Sequence, residues 1–390
     1  MEKTEQFEII IPTLFGLEAF VGRELKALGY TPSKVEDGRV TFWGDIRAVV
    51  LANLWIRCGE RVLIKIAEFE AVSFEQLFEQ TRSAPWGEWI PKTAAFPVKG
   101  HALKSKLASV RDCQTIIKKA VAGALSKKYG IDWLEETGPL YQIQFSILKD
   151  RVTLMLDASG EGLHKRGYRR VSNAAPLKET IAAAMVQLSH WKYEYPMADP
   201  FCGSGTLPIE AAMLKRNIAP GLTRHFSAEN FVQIPVELWE QCRKEAKEAE
   251  KNIPLEIYSS DIDPAALDIA RANAKIAGVG GQIQFSIRDA KEFFEPVPYG
   301  TILCNPPYGE RLSDVRSCEE LYRHIGKTFS RLDKWSCYII TSHEQFESLF
   351  GRKADKKRKL YNGMIKCNIY QYFGPRPPRP HTPKDLPREQ

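Results

Sequence analysis

The 390-residue sequence lacks any apolar run of about 18 residues, the shortest that crosses a bilayer as a helix, so no membrane-embedded protein is expected. A basic-then-apolar leader is missing too: Glu2, Glu5, Glu18 and Glu24 stand among the apolar positions of the first thirty residues, and a cytoplasmic protein is the expectation. The eight cysteines are scattered, none in the close pairs that zinc or dithiol redox sites use. No metal is therefore expected, and the thiols read as small buried hydrophobes. There is no internal repeat, and compositional bias is confined to a proline-rich tail from Pro375 to Gln390.

What is present is ordinary for a folded soluble chain: 44% hydrophobic and 26% charged residues, over a length that allows two or three cores. The net charge of +7 is unevenly placed. From Lys99 to Lys128 eight basic residues face only Asp112, and from Arg352 to the C-terminus eleven face three acids. A charge run is commonly just a solvated face, so its meaning depends on the motifs beside it.

Periodicity divides the chain. Strands are expected at Phe7 to Pro12, Arg39 to Phe42 and Arg61 to Ala67, with helices at Leu17 to Leu28 and Ser73 to Gln80. A strand at Phe96 to Lys99 and a helix from Ser109 to Lys128 follow. In that helix Val110, Ile117, Val121 and Leu125 form an apolar stripe, and Lys118, Lys119, Lys127 and Lys128 are expected away from it, free to meet a polyanion. Strands Tyr141 to Leu148 and Arg151 to Asp157 flank a Lys149-Asp150 turn and close one or two α+β modules. Gly160 to Ala175 reads as a connection. Beyond Pro176 helix and strand alternate, which predicts a parallel sheet: helices at Leu177 to Ser189, Thr206 to Arg216 and Pro264 to Ala277, strands at Met197 to Asp199, Glu256 to Ser260, Ile283 to Ile287, Thr301 to Cys304 and Cys337 to Thr341, and a late antiparallel strand at Ile365 to Tyr372.

Chemistry gathers at the ends of those strands. Asp199-Pro200-Phe201-Cys202-Gly203-Ser204-Gly205-Thr206 joins a strand to a helix through glycines that allow a tight turn against a ligand. It has neither the lysine of a phosphate-cradling loop nor the third glycine of the dinucleotide fingerprint, which argues against ATP and dinucleotides. Asp261, ending the next strand, is placed to accept from both hydroxyls of a ribose, while Asp263 before Pro264 suits a helix cap. Asp289 ends the strand after that, in reach of an adenine amino group. Asn305-Pro306-Pro307-Tyr308 ends the fourth strand. The Asn305 oxygen and the Pro306 carbonyl suit the two protons of an exocyclic base amine, drawing its lone pair out of the ring, and Tyr308 suits stacking on the base while the prolines keep the backbone extended.

These motifs resemble those of class I methyltransferases. Asp199 to Thr206 looks like their motif I and Asn305 to Tyr308 like motif IV of the amino-methyltransferases. With Leu163-His164-Lys165-Arg166-Gly167-Tyr168-Arg169 and Ala175-Pro176-Leu177-Lys178-Glu179-Thr180, the chain is similar to the bacterial 23S ribosomal-RNA guanine-N2 methyltransferases that carry a THUMP domain. The resemblance implies an α/β chain with a C-terminal Rossmann-like methyltransferase sheet over residues 158–375, an N-terminal ferredoxin-like domain over 1–65, a THUMP RNA-binding domain over 66–157, and a flexible tail over 376–390. It implies S-adenosyl-L-methionine as cofactor, held by Pro176, Leu177, Lys178, Asp199, Pro200, Phe201, Gly203, Ser204, Gly205, Thr206, Asp261, Ile262, Asp289, Ala290 and Asn305. Asn305, Pro306, Pro307 and Tyr308 would carry catalysis, and RNA, 23S rRNA in the first place, is the implied partner. A tRNA guanine-N2 methyltransferase, a DNA adenine-N6 methyltransferase and a noncatalytic RNA-binding assembly factor remain as other readings.

Overall fold

The computed structural model describes residues 5–169, 177–294, 297–309, 312–363 and 365–376. The chain forms two compact units, one of Met1–Arg169, Glu179–Ala184 and Arg216–Asn252, the other of Arg170–Lys178, Met185–Lys215 and Ile253–Gln390.

The first unit is built on strands β1 (Phe7–Pro12), β2 (Pro32–Glu36), β3 (Arg39–Gly44), β4 (Leu63–Glu70), β5 (Val98–Leu103), β6 (Ile143–Leu148) and β7 (Arg151–Asp157). They make one seven-stranded sheet in the order β2-β3-β1-β4-β7-β6-β5. The two modules expected from the sequence thus share a sheet, because β4 pairs with β1 on one side and with β7 on the other. Ile64 lies opposite both Ile9 and Leu156, and all three are fully buried, so one apolar row runs through the boundary. The helix Ile46–Trp55 escapes the sequence reading because its residues are apolar nearly all round, leaving no stripe to detect; the Asp45 carboxylate caps it by accepting from Ala48 N at 2.9 Å.

Residues 216–252 follow a helix of the second unit in sequence yet pack into the first. Their amphipathic helix Val236–Glu248 buries Trp239, Cys242 and Ala246, and Glu245 pairs with Arg47 at 2.5 Å. Phe231 stacks on Tyr141 at 4.3 Å between centroids, and the Tyr141 hydroxyl donates to the Asn230 carbonyl at 3.1 Å.

In the second unit β8 (Met197–Asp199), β9 (Ile257–Asp261), β10 (Ile283–Ile287), β11 (Gly300–Cys304), β12 (Trp335–Thr341), β13 (Lys356–Asn362) and β14 (Ile365–Tyr372) form a sheet in the order β10-β9-β8-β11-β12-β14-β13. The strands β8 to β12 run parallel, and β14 lies antiparallel between β12 and β13. Strand order reverses between β8 and β11, and in such sheets ligands sit beyond the carboxyl ends at that reversal. Two elements here escape the sequence reading, although the second carries a clear amphipathic stripe. β13 carries the run Lys356 to Lys359 and is a strand because it pairs along β14 from Lys356↔Gln371 to Asn362↔Ile365. The helix Leu312–Phe329 seats Tyr322, Ile325 and Phe329 in a core with Ile302, Trp335 and Phe346.

That helix is held close to its neighbour by a glycine. A Cβ at Gly326 would overlap the backbone carbonyl of Phe350, at the end of the helix Phe346–Phe350, and backbone cannot rotate aside as a side chain can. Gly326→Ala should therefore destabilise the protein by about 1–3 kcal/mol despite alanine's better helix propensity. A urea denaturation midpoint equal to that of the wild type would show that the helix yields freely.

Candidate functional site

A cleft of about 700 Å³ opens at the strand reversal, in the size range of small-molecule sites, and it lies wholly within the second unit. One wall is the turn after β8. There the Gly205 amide donates to the Cys202 carbonyl at 2.7 Å, and the buried Asn273 amide donates to the Ser204 carbonyl at 3.0 Å, fixing the turn from the helix Pro264–Ile276. Gly203 and Gly205 both take positive φ, 50° and 84°, which a side chain would strain. They differ in surroundings: a Cβ on Gly205 would press on Ala270 at 3.1 Å, whereas one on Gly203 would meet nothing within 4 Å. Gly205 serves the helix contact, and Gly203 faces open space.

The second wall is the end of β9. The Asp261 carboxylate accepts from Gly203 N at 2.9 Å through one oxygen and from Asp263 N at 3.0 Å through the other, tying the turn to the neighbouring strand. Each oxygen keeps a further lone pair for a ligand. Beside it Ile262 is 68% exposed, an apolar side chain left at the cleft's lip. Asp289 accepts from Lys291 N at 2.9 Å, and Ala290 is buried behind it.

The third wall follows β11. Tyr308 donates its hydroxyl to the Asn305 side-chain oxygen at 2.6 Å, which orients the amide and leaves that oxygen one free lone pair. Burial pushes the Tyr308 phenol well above its ordinary range, so it stays a donor. The next turn is held from below: Tyr322, fully buried, donates to the Pro307 carbonyl at 2.6 Å and lies 2.9 Å from the Thr341 hydroxyl. A phenol has one proton, so Thr341 must donate to Tyr322, while His343 N donates to Thr341 at 3.1 Å. Three donors therefore point in series toward Pro307.

Of the residues named from the sequence, the cleft gathers Leu177, Asp199, Pro200, Phe201, Gly203, Ser204, Thr206, Asp261, Ile262, Asp289, Ala290, Asn305, Pro306, Pro307 and Tyr308. Lys178 and Gly205 do not line it, and Pro176 lies outside the described residues. Lys118, Lys119, Lys127 and Lys128 belong to the first unit, on the helix Val110–Tyr129. Lys119 and Lys127 are exposed there. Lys118 is not free: its ammonium donates to Glu136 at 2.5 Å and to the Phe96 carbonyl at 3.2 Å. Lys128 is exposed, with its alkyl stem laid over Gly87. The sequence reading missed Ser317, Cys318, Leu321, Asn362 and Ile365 on the cleft wall. For the last two a signal existed, since Asn362-Gly363 is a hairpin-turn dipeptide and Gly363 has φ 65°.

Comparison with known proteins agrees with this geometry. The family described as RMKL-like, methyltransferase domain matches residues 166–371. The chain belongs to the RMKL-like methyltransferase family. The RlmL ferredoxin-like domain matches residues 8–63 of this RMKL-like chain, and the THUMP domain matches 71–157. A curated relative, "Putative RNA methyltransferase YpsC" of Bacillus subtilis (strain 168), is 47% identical over 97% of this chain and 99% of its own. A solved structure described as a predicted N6-adenine-specific DNA methylase from Listeria monocytogenes is 47% identical with a TM-score of 0.91, covering 95% of this chain and 97% of that one. Another, SMU.472, described as a putative methyltransferase complexed with SAH, is 40% identical with a TM-score of 0.91, covering 96% and 100%. The cofactor of the RMKL-like chain is S-adenosylmethionine, the family's methyl donor. The cleft fits it: open space beside Gly203, paired carboxylate oxygens at Asp261 and an apolar lip at Ile262 match a nucleoside with a charged tail. Among the described residues no group of His, Cys, Asp or Glu could hold a metal ion, and no helix is long and apolar enough to cross a membrane.

One carboxylate of this site works against the fold. Asp199 is 1% exposed, no cation lies within ion-pair distance among the described residues, and its one amide partner is Phe201 N at 3.1 Å. Burial, with the Asp261 charge nearby, raises its pKa well above the carboxylate range even though the Phe201 amide opposes the shift. The folded state then holds a proton that the unfolded chain releases, so stability present at low pH is lost as pH rises from the carboxylate range through the raised value. Asp199→Asn keeps an acceptor for Phe201 and removes the charge. In cofactor-free protein it should raise the thermal midpoint near about pH 8, with the gain shrinking toward about pH 5. Parallel pH curves for the two proteins would show that Asp199 carries no such penalty.

Proposed function

We propose that this chain transfers a methyl group to the exocyclic N2 of guanine in RNA, 23S ribosomal RNA being the substrate that the family resemblance implies. The observation that carries the reading is the Asn305-to-Tyr308 turn, whose oriented Asn305 amide and whose Pro306 line the same cleft as Gly203 and Asp261. When bound, S-adenosylmethionine would supply an electrophilic methyl group: the amine lone pair forms the new N–C bond as the C–S bond breaks, and the C–S electron pair stays on the sulfur.

The chain's own residues then have distinct tasks. Asp261 accepts from the ribose hydroxyls and Asp289 from the adenine amine, fixing the donor at one end of the cleft. Leu177 and Ile262 cover apolar faces, and the turn from Asp199 to Thr206 shapes the wall. Asn305 and Pro306 accept the two protons of the target amine, so its lone pair turns away from the ring and toward the donor. Tyr308 stacks on a base flipped out of its helix while its hydroxyl holds Asn305 in that orientation. The amine proton is lost to water after transfer, because a cationic nitrogen needs no strong base.

RNA as the substrate is supported by the ferredoxin-like and THUMP matches and by the name of the Bacillus relative. Lys119 and Lys127 are exposed cations on the THUMP-matching segment that suit its backbone. The domain limits belong to the same proposal: 1–65, 66–157, 158–375 and a tail of 376–390, with 216–252 as an excursion packed on the first unit. A second reading, adenine N6 in DNA, has in its favour the description of the Listeria protein as an N6-adenine-specific DNA methylase and the generality of the Asn-Pro-Pro-Tyr chemistry.

Two measurements test the proposal. Calorimetry should show S-adenosylmethionine binding that Asp261→Ala weakens by about 1–3 kcal/mol; a folded wild type that binds no cofactor would leave only a noncatalytic role. Nucleoside mass spectrometry after incubation with labelled cofactor should find N2-methylguanine in ribosomal RNA. Asn305→Ala should lower turnover by on the order of a hundredfold while sparing cofactor affinity. Label found only as N6-methyladenine in DNA would overturn the base and the polymer, and full activity of Asn305→Ala would overturn the catalytic assignment.

A further inference from the structure

The basic cluster near the C-terminus acquires a place in the fold that the sequence could not give it. Seven cations, Arg352, Lys353, Lys356, Lys357, Arg358, Lys359 and Lys366, lie on or beside the β13–β14 hairpin, against Asp355 alone in residues 352–372. Two of the seven are neutralised: Arg352 pairs with Asp355 at 3.1 Å and Lys357 with Glu347 at 2.7 Å. Lys353, Lys356, Lys359 and Lys366 are exposed, with no carboxylate within 4.0 Å among the described residues.

Lysine on an edge strand often serves only to prevent pairing with other chains, and β13 is an edge. Two further observations go beyond that role. The tip of this hairpin, Asn362 and Ile365, lines the cleft that holds Asn305 and Tyr308. Tyr361 lies directly across from Lys366 in the register, and the Lys359 ammonium sits 5.5 Å from the Tyr361 ring, so two cations and an aromatic ring share one face of the hairpin next to that tip.

We propose that the face of the β13–β14 hairpin that carries Lys359, Tyr361 and Lys366 is the surface on which the RNA strand flanking the target base docks, its phosphates on Lys359 and Lys366 and a neighbouring base on Tyr361. The proposal rests on the RNA-methyltransferase reading above and adds which face of the methyltransferase domain the substrate strand crosses. It assigns the substrate's path to the catalytic unit itself, so docking does not depend solely on the N-terminal unit.

The experiment uses the full chain and the RNA that the wild type methylates. In the double variant Lys359→Gln and Lys366→Gln, KM for RNA should rise about fivefold near physiological salt. The slope of log KM against log salt should fall by about 1.5, as the loss of two phosphate contacts releases fewer counterions. Turnover at saturating RNA, cofactor affinity and thermal midpoint should stay at wild-type values. The matching double Lys→Arg variant should keep the wild-type slope, and a control double, Lys26→Gln and Lys251→Gln, should keep the wild-type KM. Tyr361→Ala should raise KM about fivefold or more without changing the slope, since stacking releases no counterion. Wild-type KM and salt slope in the hairpin double variant would overturn the docking surface, and so would an equal change in the control double. A wild type that methylates no RNA at all would instead overturn the reading on which the proposal rests.

Discussion

The hydrogen bond from the Gly203 amide to the Asp261 carboxylate is the contact on which the site depends. It joins the turn after β8 to the end of β9, so two loops on adjacent strands move as one wall. Because the second Asp261 oxygen is engaged by Asp263 N, the carboxylate is fixed in both position and rotation before a ligand arrives. A fixed acceptor loses little entropy on binding, which is the advantage of holding it with backbone amides rather than leaving it on a mobile side chain. The same turn needs positive φ at both of its glycines, and the buried Asn273 holds the intervening carbonyl.

The opposite wall is preorganised differently. Asn305 follows directly on a buried strand, but its amide could rotate without the Tyr308 hydroxyl. The succeeding turn is carried by Tyr322 and Thr341, contributed by a helix and a strand that come after the motif in sequence. Hydrogen bonds in series polarise one another, and in a dry core each unsatisfied member would cost its full desolvation. Losing any one member would therefore cost more than a single hydrogen bond, which suits a turn that must stay fixed.

Charge is distributed along the cleft by the same logic. Carboxylates cluster where a nucleoside with hydroxyl and amine donors is to bind, although this buries Asp199 with no cation partner among the described residues. Cations collect at the hairpin end, where an anionic polymer would approach.

The sequence by itself determined the residues whose chemistry is local. Asp199 to Thr206, Asp261 and Asn305 to Tyr308 are legible because a glycine turn, a strand-ending carboxylate and a proline-stiffened amide owe their properties to neighbours a few positions away. The alternation of helix and strand beyond Pro176 predicted the parallel sheet for the same reason, since burial on both faces marks each strand separately. Tertiary structure alone decided what depends on distant partners. Lys118 looks free in a helical pattern but meets Glu136 across a loop. Lys356 to Lys359 read as a solvated run and become a strand only by pairing with β14. Residues 216–252 pack away from the unit that precedes them in sequence, and Tyr322 reaches Pro307 across a core. Pairing and packing of this kind are set by which surfaces meet after the chain has folded, and no periodicity along the chain encodes the identity of the partner.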